Sequence, residues 1–355
     1  MKERLVALSP ILLRVVGYPL FFLVCFTAFL YATFPYDRLK EVIEAAAQAP
    51  RISSTGRQTP SNMELSIGSL GPTFFPGVKA KNVDVTFLPQ RTGDRPVTMH
   101  IDAMTVHVSL FALLARKASV TFDIDGMGGE IEGSATVYFG KDSPPGLRDL
   151  EVEIEDVQMG ELAPLVSAVG LPLGGTMTGT VELHIPEGQT TQAEGNVRLT
   201  CERVTVGDGR AKYRVPSLPG DGLTIEQIKV GKLDININVR RGAATFERVG
   251  SHSDEFDLQV GGRIDLRPNL GDSAMNLNLR FRLTDVYRAK SERTQALMSA
   301  MDFVPDLRRA RSPEGTLGFR CSGTFDRPMA CLPDQRGAGG GAGGVPQGLD
   351  PNAAM

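Results

Sequence analysis

Histidine is the first residue type to examine for chemistry, because its side chain binds metals and carries protons near neutral pH. The chain has four histidines, His100, His107, His184 and His252. None of them belongs to an H-E-x-x-H pattern or to another familiar metal-binding spacing. His100 and His107 lie in strand-like segments, but at this separation they need not share one face of a sheet. The sequence therefore predicts histidines that are hydrogen-bonded within a sheet, with no metal site and no cofactor site.

Other catalytic patterns are equally hard to find. The chain contains no G-x-S-x-G nucleophile elbow and no Walker phosphate loop, and Gly126-Met127-Gly128 is not completed as G-x-G-x-x-G. Glu151, Glu153 and Glu155 alternate with other residues. This pattern is typical of the solvent-exposed face of a strand rather than of a catalytic carboxylate pair. A site assembled from several strands stays open, but the sequence predicts a protein that is not an enzyme.

The four cysteines differ in their surroundings. Cys25 lies in a long apolar stretch and Cys201 is isolated in the sequence. Cys321 and Cys331 are near enough to close a small loop in an oxidising compartment. The sequence leaves two alternatives for this pair, a disulfide bond or two unpaired thiols.

Residues 15–36 carry no charge, and a helix of about 22 residues spans a hydrocarbon core of about 30 Å. A secretory signal peptide has a shorter apolar region, about 7–15 residues, followed by a small-residue cleavage site, and no such site directly follows Tyr36. An uncleaved single-pass membrane anchor is expected, with a cleaved signal or a buried core helix as alternatives. The residues expected to mark the anchor are Val15, Tyr18, Phe21, Phe22, Leu23, Phe26, Phe29, Leu30, Tyr31 and Tyr36.

The charges around this stretch predict its orientation. Lys2, Arg4 and Arg14 precede it against the single acid Glu3, whereas the first charges after it are mixed. The positive-inside rule then places residues 1–14 in the cytoplasm and exports the rest of the chain. The formal net charge of -3 gives no electrostatic reason to expect a nucleic-acid partner.

The exported part divides into a stalk, a body and a tail. Residues 37–60 are predicted to form a stalk, a helix followed by a polar linker. Residues 335–355 are rich in Gly and Ala and are predicted to be disordered. The body, residues 61–334, is expected to be β-rich, because the chain's 39 Gly, 23 Pro and absent Trp suit many short strands joined by turns.

Apolar and polar residues alternate along the body, most clearly in its last third. This period of two predicts strands with one apolar and one polar face. The sharpest alternation runs over residues 275–283, where polar side chains separate the apolar ones. The positions predicted to share an apolar face, lining either a core or a lipid site, are Leu233, Ile235, Ile237, Val239, Phe256, Leu258, Val260, Met275, Leu277, Leu279, Phe281 and Leu283.

Glycine pairs and scarce helices constrain the architecture. Gly128-Gly129, Gly174-Gly175 and Gly261-Gly262 interrupt strand-like segments, where glycine often marks bulges. The few short helical segments, such as residues 161–169 and 291–303, cannot cover so many one-sided strands. Two architectures remain, sheets that face each other in a sandwich or barrel, or a long curved sheet that keeps an apolar trough.

The chain also resembles a known family, the general secretion pathway protein N family of type II secretion systems, in the branch whose body is AsmA-like. The residues that carry the resemblance are Phe34-Pro35-Tyr36-Asp37, the segment 65–83 with its Pro76-Gly77 turn, Ile101-Asp102-Ala103-Met104-Thr105-Val106, the segment 109–114, Gly128-Gly129-Glu130-Ile131-Glu132-Gly133, Gly315-Thr316-Leu317-Gly318-Phe319 and Gly323-Thr324-Phe325-Asp326-Arg327-Pro328.

The resemblance implies a mainly β protein, with one N-terminal transmembrane helix followed by an elongated, curved antiparallel β-sheet that forms an AsmA-like groove with few short helices. It implies a bacterial inner-membrane protein with its bulk in the periplasm. Its implied role is that of a non-enzymatic accessory component, in contact with other type II secretion components. The alternative is a lipid-binding or lipid-transfer module that carries the acyl chains of phospholipid in an apolar β-groove between the inner and outer membranes.

Overall fold

The structure is a computed structural model. It describes residues 17–22, 24–26, 29, 33–52, 58–59, 61, 63–73, 76–88, 96–109, 117–139, 146–213, 223–301, 303–325 and 327–334. Within them the prediction of a mainly β protein is confirmed, because fourteen long strands form one antiparallel sheet and the helices are few and short.

The strands pair in chain order, apart from two short ribbons. The strands are β1 (Arg51–Ile52), β2 (Gln58–Thr59), β3 (Met63–Pro72), β4 (Gly77–Phe87), β5 (Val97–Ser109), β6 (Lys117–Gly126), β7 (Gly129–Tyr138), β8 (Gly146–Gln158), β9 (Leu173–His184), β10 (Glu194–Val206), β11 (Lys212–Tyr213), β12 (Leu223–Thr224), β13 (Ile228–Arg240), β14 (Ala243–His252), β15 (Phe256–Asp265), β16 (Ala274–Leu283), β17 (Leu317–Thr324) and β18 (Arg327–Pro333). The ribbons are β1–β2 and β11–β12, and the large sheet runs from β3 to β18 without them.

The α-helices lie before and between the strands. They are α1 (Tyr36–Gln48), α2 (Ala163–Val169), α3 (Asp285–Arg288), α4 (Glu292–Met301) and α5 (Pro305–Ala310). Short 3-10 turns at Met159–Glu161, Pro186–Gly188, Thr190–Gln192 and Leu270–Asp272 complete the connections. The chain divides into two compact units, residues 1–132 and residues 133–355.

The first unit has its core at the start of the sheet. Alternate residues of β3, β4 and β5 bury a cluster made by Ile67, Ala80, Val83, Val85 and Ile101. Ile43 of α1 packs against this cluster, so the amphipathic helix covers the first strand. This part of the segment predicted as a stalk therefore has a packing role that its sequence pattern did not indicate.

In the second unit, β-bulges interrupt the strand pairing next to two of the glycine pairs. The pairing of β9 with β10 shifts register between Glu202 and Thr205, opposite Gly174-Gly175. The pairing of β14 with β15 shifts between Phe246 and Val249, beside Gly261-Gly262. Gly175 and Gly262 have φ values of 114° and 127°, which side chains rarely adopt. These bulges add local twist to the strands that carry the apolar residues.

Candidate functional site

One side of the sheet in the second unit is lined by apolar residues from successive strands. Antiparallel register places Ile235 opposite Val249, Val249 opposite Val260, and Val260 opposite Leu279. Leu279 in turn lies opposite Phe319. Because side chains directly opposite each other lie on the same side of a sheet, these residues form a continuous row. We call this side of β8–β10 and β13–β17 the apolar face.

Parallel rows extend the apolar face towards both ends of the strands. Towards one end, Met177, Cys201 and Leu233 pair in turn. Towards the other end, Val239 lies opposite Ala244. All the residues predicted to share an apolar face, from Leu233 to Leu283, lie at alternate positions of β13, β15 and β16.

Burial is uneven across this face. At one end of the strands Val157, Cys201 and Leu317 are 0%, 1% and 3% exposed. At the other end Val239 and Ala244 are buried. The middle row is partly buried over six neighbouring strands, whereas Ile154, its member on β8, is buried. The partly buried members are Leu199, Ile235, Val249, Val260, Leu279 and Phe319.

A separate cluster of buried side chains lies near each end of the strands that form the apolar face. One cluster combines Met159, Cys201, Val204 and Val230, and Leu165 of α2 packs against it. The other cluster combines Ile185, Ala193, Val239 and Ala244. The apolar face thus has a buried cluster near each set of strand ends, and partly buried side chains over most of its remaining area.

Aromatic rings extend the face across the last strands. Phe256 and Phe281 have ring centroids 6.0 Å apart, and Phe281 stacks on Phe319 at the same distance. The three rings come from β15, β16 and β17, so they form a continuous aromatic contact across three neighbouring strands. Such rings add large apolar area that a flexible chain can contact.

A disulfide bond joins Cys321 on β17 to Cys331 on β18. Cys321 lies on the apolar face opposite Leu277, and the bond fastens the last strand to the sheet. Cys201 is a free buried thiol. Burial, together with the negative charge of Asp234, raises the pKa of Cys201 to about 11. Its thiolate is therefore scarce near neutral pH, which is unfavourable for a nucleophile.

The anchor residues are described only in part. The described positions between 17 and 33 are helical, and Phe21, Phe22, Phe26 and Phe29 are exposed among them. Tyr18 is exposed as well, and Tyr36 begins α1. Val15, Leu23, Leu30 and Tyr31 lie outside the described residues. In the part of the chain that is described, no helix has both the length and the apolar character needed to cross a membrane.

Histidines pair with aspartates on the polar side of the sheet. Nδ1 of His100 lies 2.7 Å from Oδ1 of Asp84, and Nδ1 of His184 lies 2.5 Å from Oδ1 of Asp149. His252 makes the corresponding hydrogen bond to Asp257. Each pair joins neighbouring strands, so these side chains cross-link strands through hydrogen bonds.

One acidic group was not recognised in the sequence. Ligand oxygens of Asp123, Asp125 and Glu130 lie within 4.8 Å of one another around the turn between β6 and β7. The signal in the sequence is a D-x-D pattern followed by an acid just beyond a Gly-Met-Gly turn. Acidic groups at this separation are common without an ion, so their proximity alone does not identify a metal site.

Comparison with known proteins adds no relative. No protein-family model, no curated protein and no solved structure matches this chain.

Proposed function

We propose that the second unit binds acyl chains of phospholipid on its apolar face and acts as a lipid-binding or lipid-transfer module. The observation that supports this most directly is the burial pattern of the middle row. Leu199, Ile235, Val260 and Leu279 pair with apolar neighbours along the sheet, yet all stay partly exposed. Side chains of a close-packed core would be buried all along such a row.

Apolar area of the face that stays in contact with water carries a free-energy cost. Burial of apolar surface contributes about 25 cal/mol per Å², and large exposed apolar patches on soluble proteins commonly mark interaction sites. The face continues over at least six strands, whereas the only other sheets in the described residues are the ribbons β1–β2 and β11–β12. A bound hydrocarbon chain would remove the middle row from water without displacing the cluster near either set of strand ends.

The expected cellular setting comes from the sequence. The predicted anchor and the resemblance to the secretion protein N family would place this module on the periplasmic side of an inner membrane. The groove would then be an elongated, curved AsmA-like sheet that carries acyl chains between the inner and outer membranes. Accessory membership of a type II secretion system is compatible with this mechanism, because a shared fold does not define a function. Membership of a type II secretion system stays a prediction based on resemblance.

Photocrosslinking in intact cells tests the lipid proposal with the full-length protein. Cells would be supplied with a phospholipid precursor whose acyl chain carries a diazirine, and crosslinked peptides would be identified by mass spectrometry. We expect crosslinks in peptides from β10 and β13–β17, on residues of the apolar face. Crosslinks confined to residues 15–36 would show only contact with a bilayer and would contradict the proposal.

Two neighbouring substitutions on β16 provide the variant and its control. Leu279→Asp places a charge on the middle row, so lipid crosslinking should fall severalfold while the partly exposed site limits the loss of stability. Asn278→Asp places the same charge on the polar side, where Asn278 is exposed, and should preserve both properties. In a closed core, Leu279→Asp would instead unfold the unit, because an unpaired charge is costly to bury.

A further inference from the structure

The polar side of the second unit contains a pocket with a volume of about 420 Å³. Its floor includes Gln259, Arg280 and Gly318, which lie opposite one another on β15, β16 and β17. Its wall includes Ser312 and Thr316, from the segment between α5 and β17. By the alternation of side chains on β16, Arg280 lies on the opposite side of the sheet from Leu279. The side chain of Arg280 therefore belongs to the polar side, although Leu258 and Phe281 of the apolar face also contribute to the pocket lining.

Two arginines of this region are already paired. Arg282 donates to Oδ2 of Asp257 from Nε at 3.0 Å and from Nη2 at 2.6 Å. Arg320 donates to Oδ2 of Asp334 at 3.3 Å. Partial burial raises the pKa of Asp257, but the hydrogen bonds and charges of Arg282 and His252 outweigh it and hold that pKa below its ordinary value. Asp257 is thus ionised and engaged by Arg282, and Asp334 is engaged by Arg320.

Arg280 differs from both of these arginines. It lines the pocket and is partly buried, yet it makes no hydrogen bond or ion pair with any residue in the described ranges. Its register partner on β17 is Gly318, which has no side chain to fill the space beside Arg280. A guanidinium stays charged at all physiological pH values and offers donors in a planar fork. Partial burial without a partner makes such a charge favourable to neutralise with an anion.

We propose that this pocket binds a phosphate ester, with Arg280 as its main ligand. Arg280 and Arg282 are two residues apart on β16, so their side chains share one side of the sheet at a separation of about 7 Å along the strand. Asp257 already accepts from Nε and Nη2 of Arg282, so the guanidinium of Arg280 is the main donor fork for an oxyanion in this pocket. The hydroxyl groups of Ser312 and Thr316 lie in the same pocket and can contribute further hydrogen bonds.

The pocket also contains opposing charges, since Asp257 and Asp334, which are paired with Arg282 and Arg320, line it together with Glu314. Glu314 is exposed and lines the same pocket. Its carboxylate would repel an incoming phosphate, so it sets an upper limit on affinity and provides an independent variant. Removing that charge should strengthen binding of a phosphate ester, whereas removing Arg280 should weaken it.

The phosphate could belong to a soluble ester or to a phospholipid headgroup, and two probes separate these sources. Full-length protein in detergent would be titrated calorimetrically with glycerol 3-phosphate and with dihexanoyl phosphatidylglycerol, at constant ionic strength. Tighter binding of the lipid than of the soluble ester assigns the pocket to a headgroup, and the reverse order assigns it to a soluble ligand. Binding of glycerol 3-phosphate, or lipid binding that Arg280→Gln weakens, supports the phosphate site, and the absence of both overturns it.

Variants decide whether Arg280 is the ligand. Arg280→Gln should weaken binding at least about tenfold, since hydrogen bonds to charged groups are the strong ones. The matched control is Arg248→Gln, which removes an exposed arginine from the polar side of β14, outside the pocket, and should leave affinity unchanged. Equal affinity of the Arg280→Gln protein and the unmodified protein would refute the assignment.

Glu314→Gln keeps the test informative if the Arg280→Gln protein misfolds, because Glu314 is an exposed residue outside the strands. We expect it to tighten glycerol 3-phosphate binding a few-fold, and weaker binding would count against the pocket. Acyl-chain crosslinking on the apolar face should be unaffected by Arg280→Gln. The phosphate site and the proposed acyl-chain site can therefore fail independently.

Discussion

The carboxylate of Glu44 accepts a hydrogen bond from the backbone amide of Ile67, at an N–O distance of 2.7 Å. Ile67 belongs to β3, the first strand of the large sheet, and its amide would otherwise be an open edge group. Lys40 donates to the carbonyl of Gly68 beside it. Unpaired edge strands invite association with other strands. Helix α1 thus protects this edge with polar contacts as well as apolar packing.

Glu44→Ala should expose the edge of β3. We expect a loss of about 1–2 kcal/mol in the unfolding free energy of the first unit, because a charge-assisted hydrogen bond is removed. Hydrogen exchange at the Ile67 amide should accelerate. Glu41→Ala on the same helix is the control, since Glu41 is 64% exposed and forms a surface ion pair with Arg38. Slow exchange at Ile67 in the Glu44→Ala protein would show that this contact does not protect the edge.

Strand positions could be predicted from the sequence because alternation of side chains is a local property. Met275 to Leu283 alternate over the whole of β16, and Leu233 to Val239 lie within β13. The helices expected at residues 161–169 and 291–303 contain α2 and α4. In each of these cases the periodicity of a short segment decides the element, without information from distant residues.

The features that depend on distant residues could not be predicted. Burial along the apolar face depends on the clusters near the strand ends, and one of them combines Met159, Cys201 and Val230 from separate strands and turns. The contact of Glu44 with Ile67 joins positions 23 residues apart. Similarly, alternation placed Arg280 on a polar face, but only the fold shows that no carboxylate of the described residues pairs with it as Asp257 pairs with Arg282.

A partly buried ion pair fixes the helices that follow β16. Nζ of Lys290 lies 3.0 Å from Glu255, and the side chains of Lys290 and Glu255 are 29% and 9% exposed. Lys290→Met should lower the unfolding free energy by about 1–3 kcal/mol, because the carboxylate of Glu255 would lose its cation but keep its hydrogen bond from the backbone amide of Lys229. Denaturant unfolding measures this loss.

The control for the ion pair is Arg309→Met. The pair of Arg309 with Asp306 is largely exposed on both sides, at 71% and 69%, so its removal should cost less than about 1 kcal/mol. A double variant, Glu255→Gln with Lys290→Met, should recover part of the stability. Similar losses for Lys290→Met and Arg309→Met would show that the low exposure of Glu255 does not strengthen its ion pair with Lys290.

Neighbouring glycines on β15 should respond differently to alanine. A Cβ at Gly262 would lie 2.2 Å from the carbonyl oxygen of Asn276, and φ there is 127°. Gly262→Ala should therefore cost about 2 kcal/mol or more. At Gly261 a Cβ would meet nothing within 4 Å, so Gly261→Ala should change stability by less than about 1 kcal/mol. Thermal unfolding compares the two, and equal effects would show that the bulge does not require glycine.

The disulfide should stabilise the last strand through a short loop. Cys321 and Cys331 are separated by 10 residues, and closing a loop of this size removes roughly 3 kcal/mol of unfolded-state entropy. Replacing both residues with alanine should lower the unfolding free energy by about 2–3 kcal/mol and speed hydrogen exchange in β17 and β18. Reduction of the unmodified protein should have the same effect.

Thiol counting supplies the control for the disulfide. The unfolded, unreduced chain should react at Cys25 and Cys201 alone, and reduction should add Cys321 and Cys331. In the folded protein at pH 8, Cys201 should react slowly because it is buried and its pKa is raised to about 11. Cys201→Ala should keep the stability response to reductant, since it does not touch the bond. Loss of that response in Cys201→Ala, or four reactive thiols before reduction, would show that Cys321 and Cys331 are not joined.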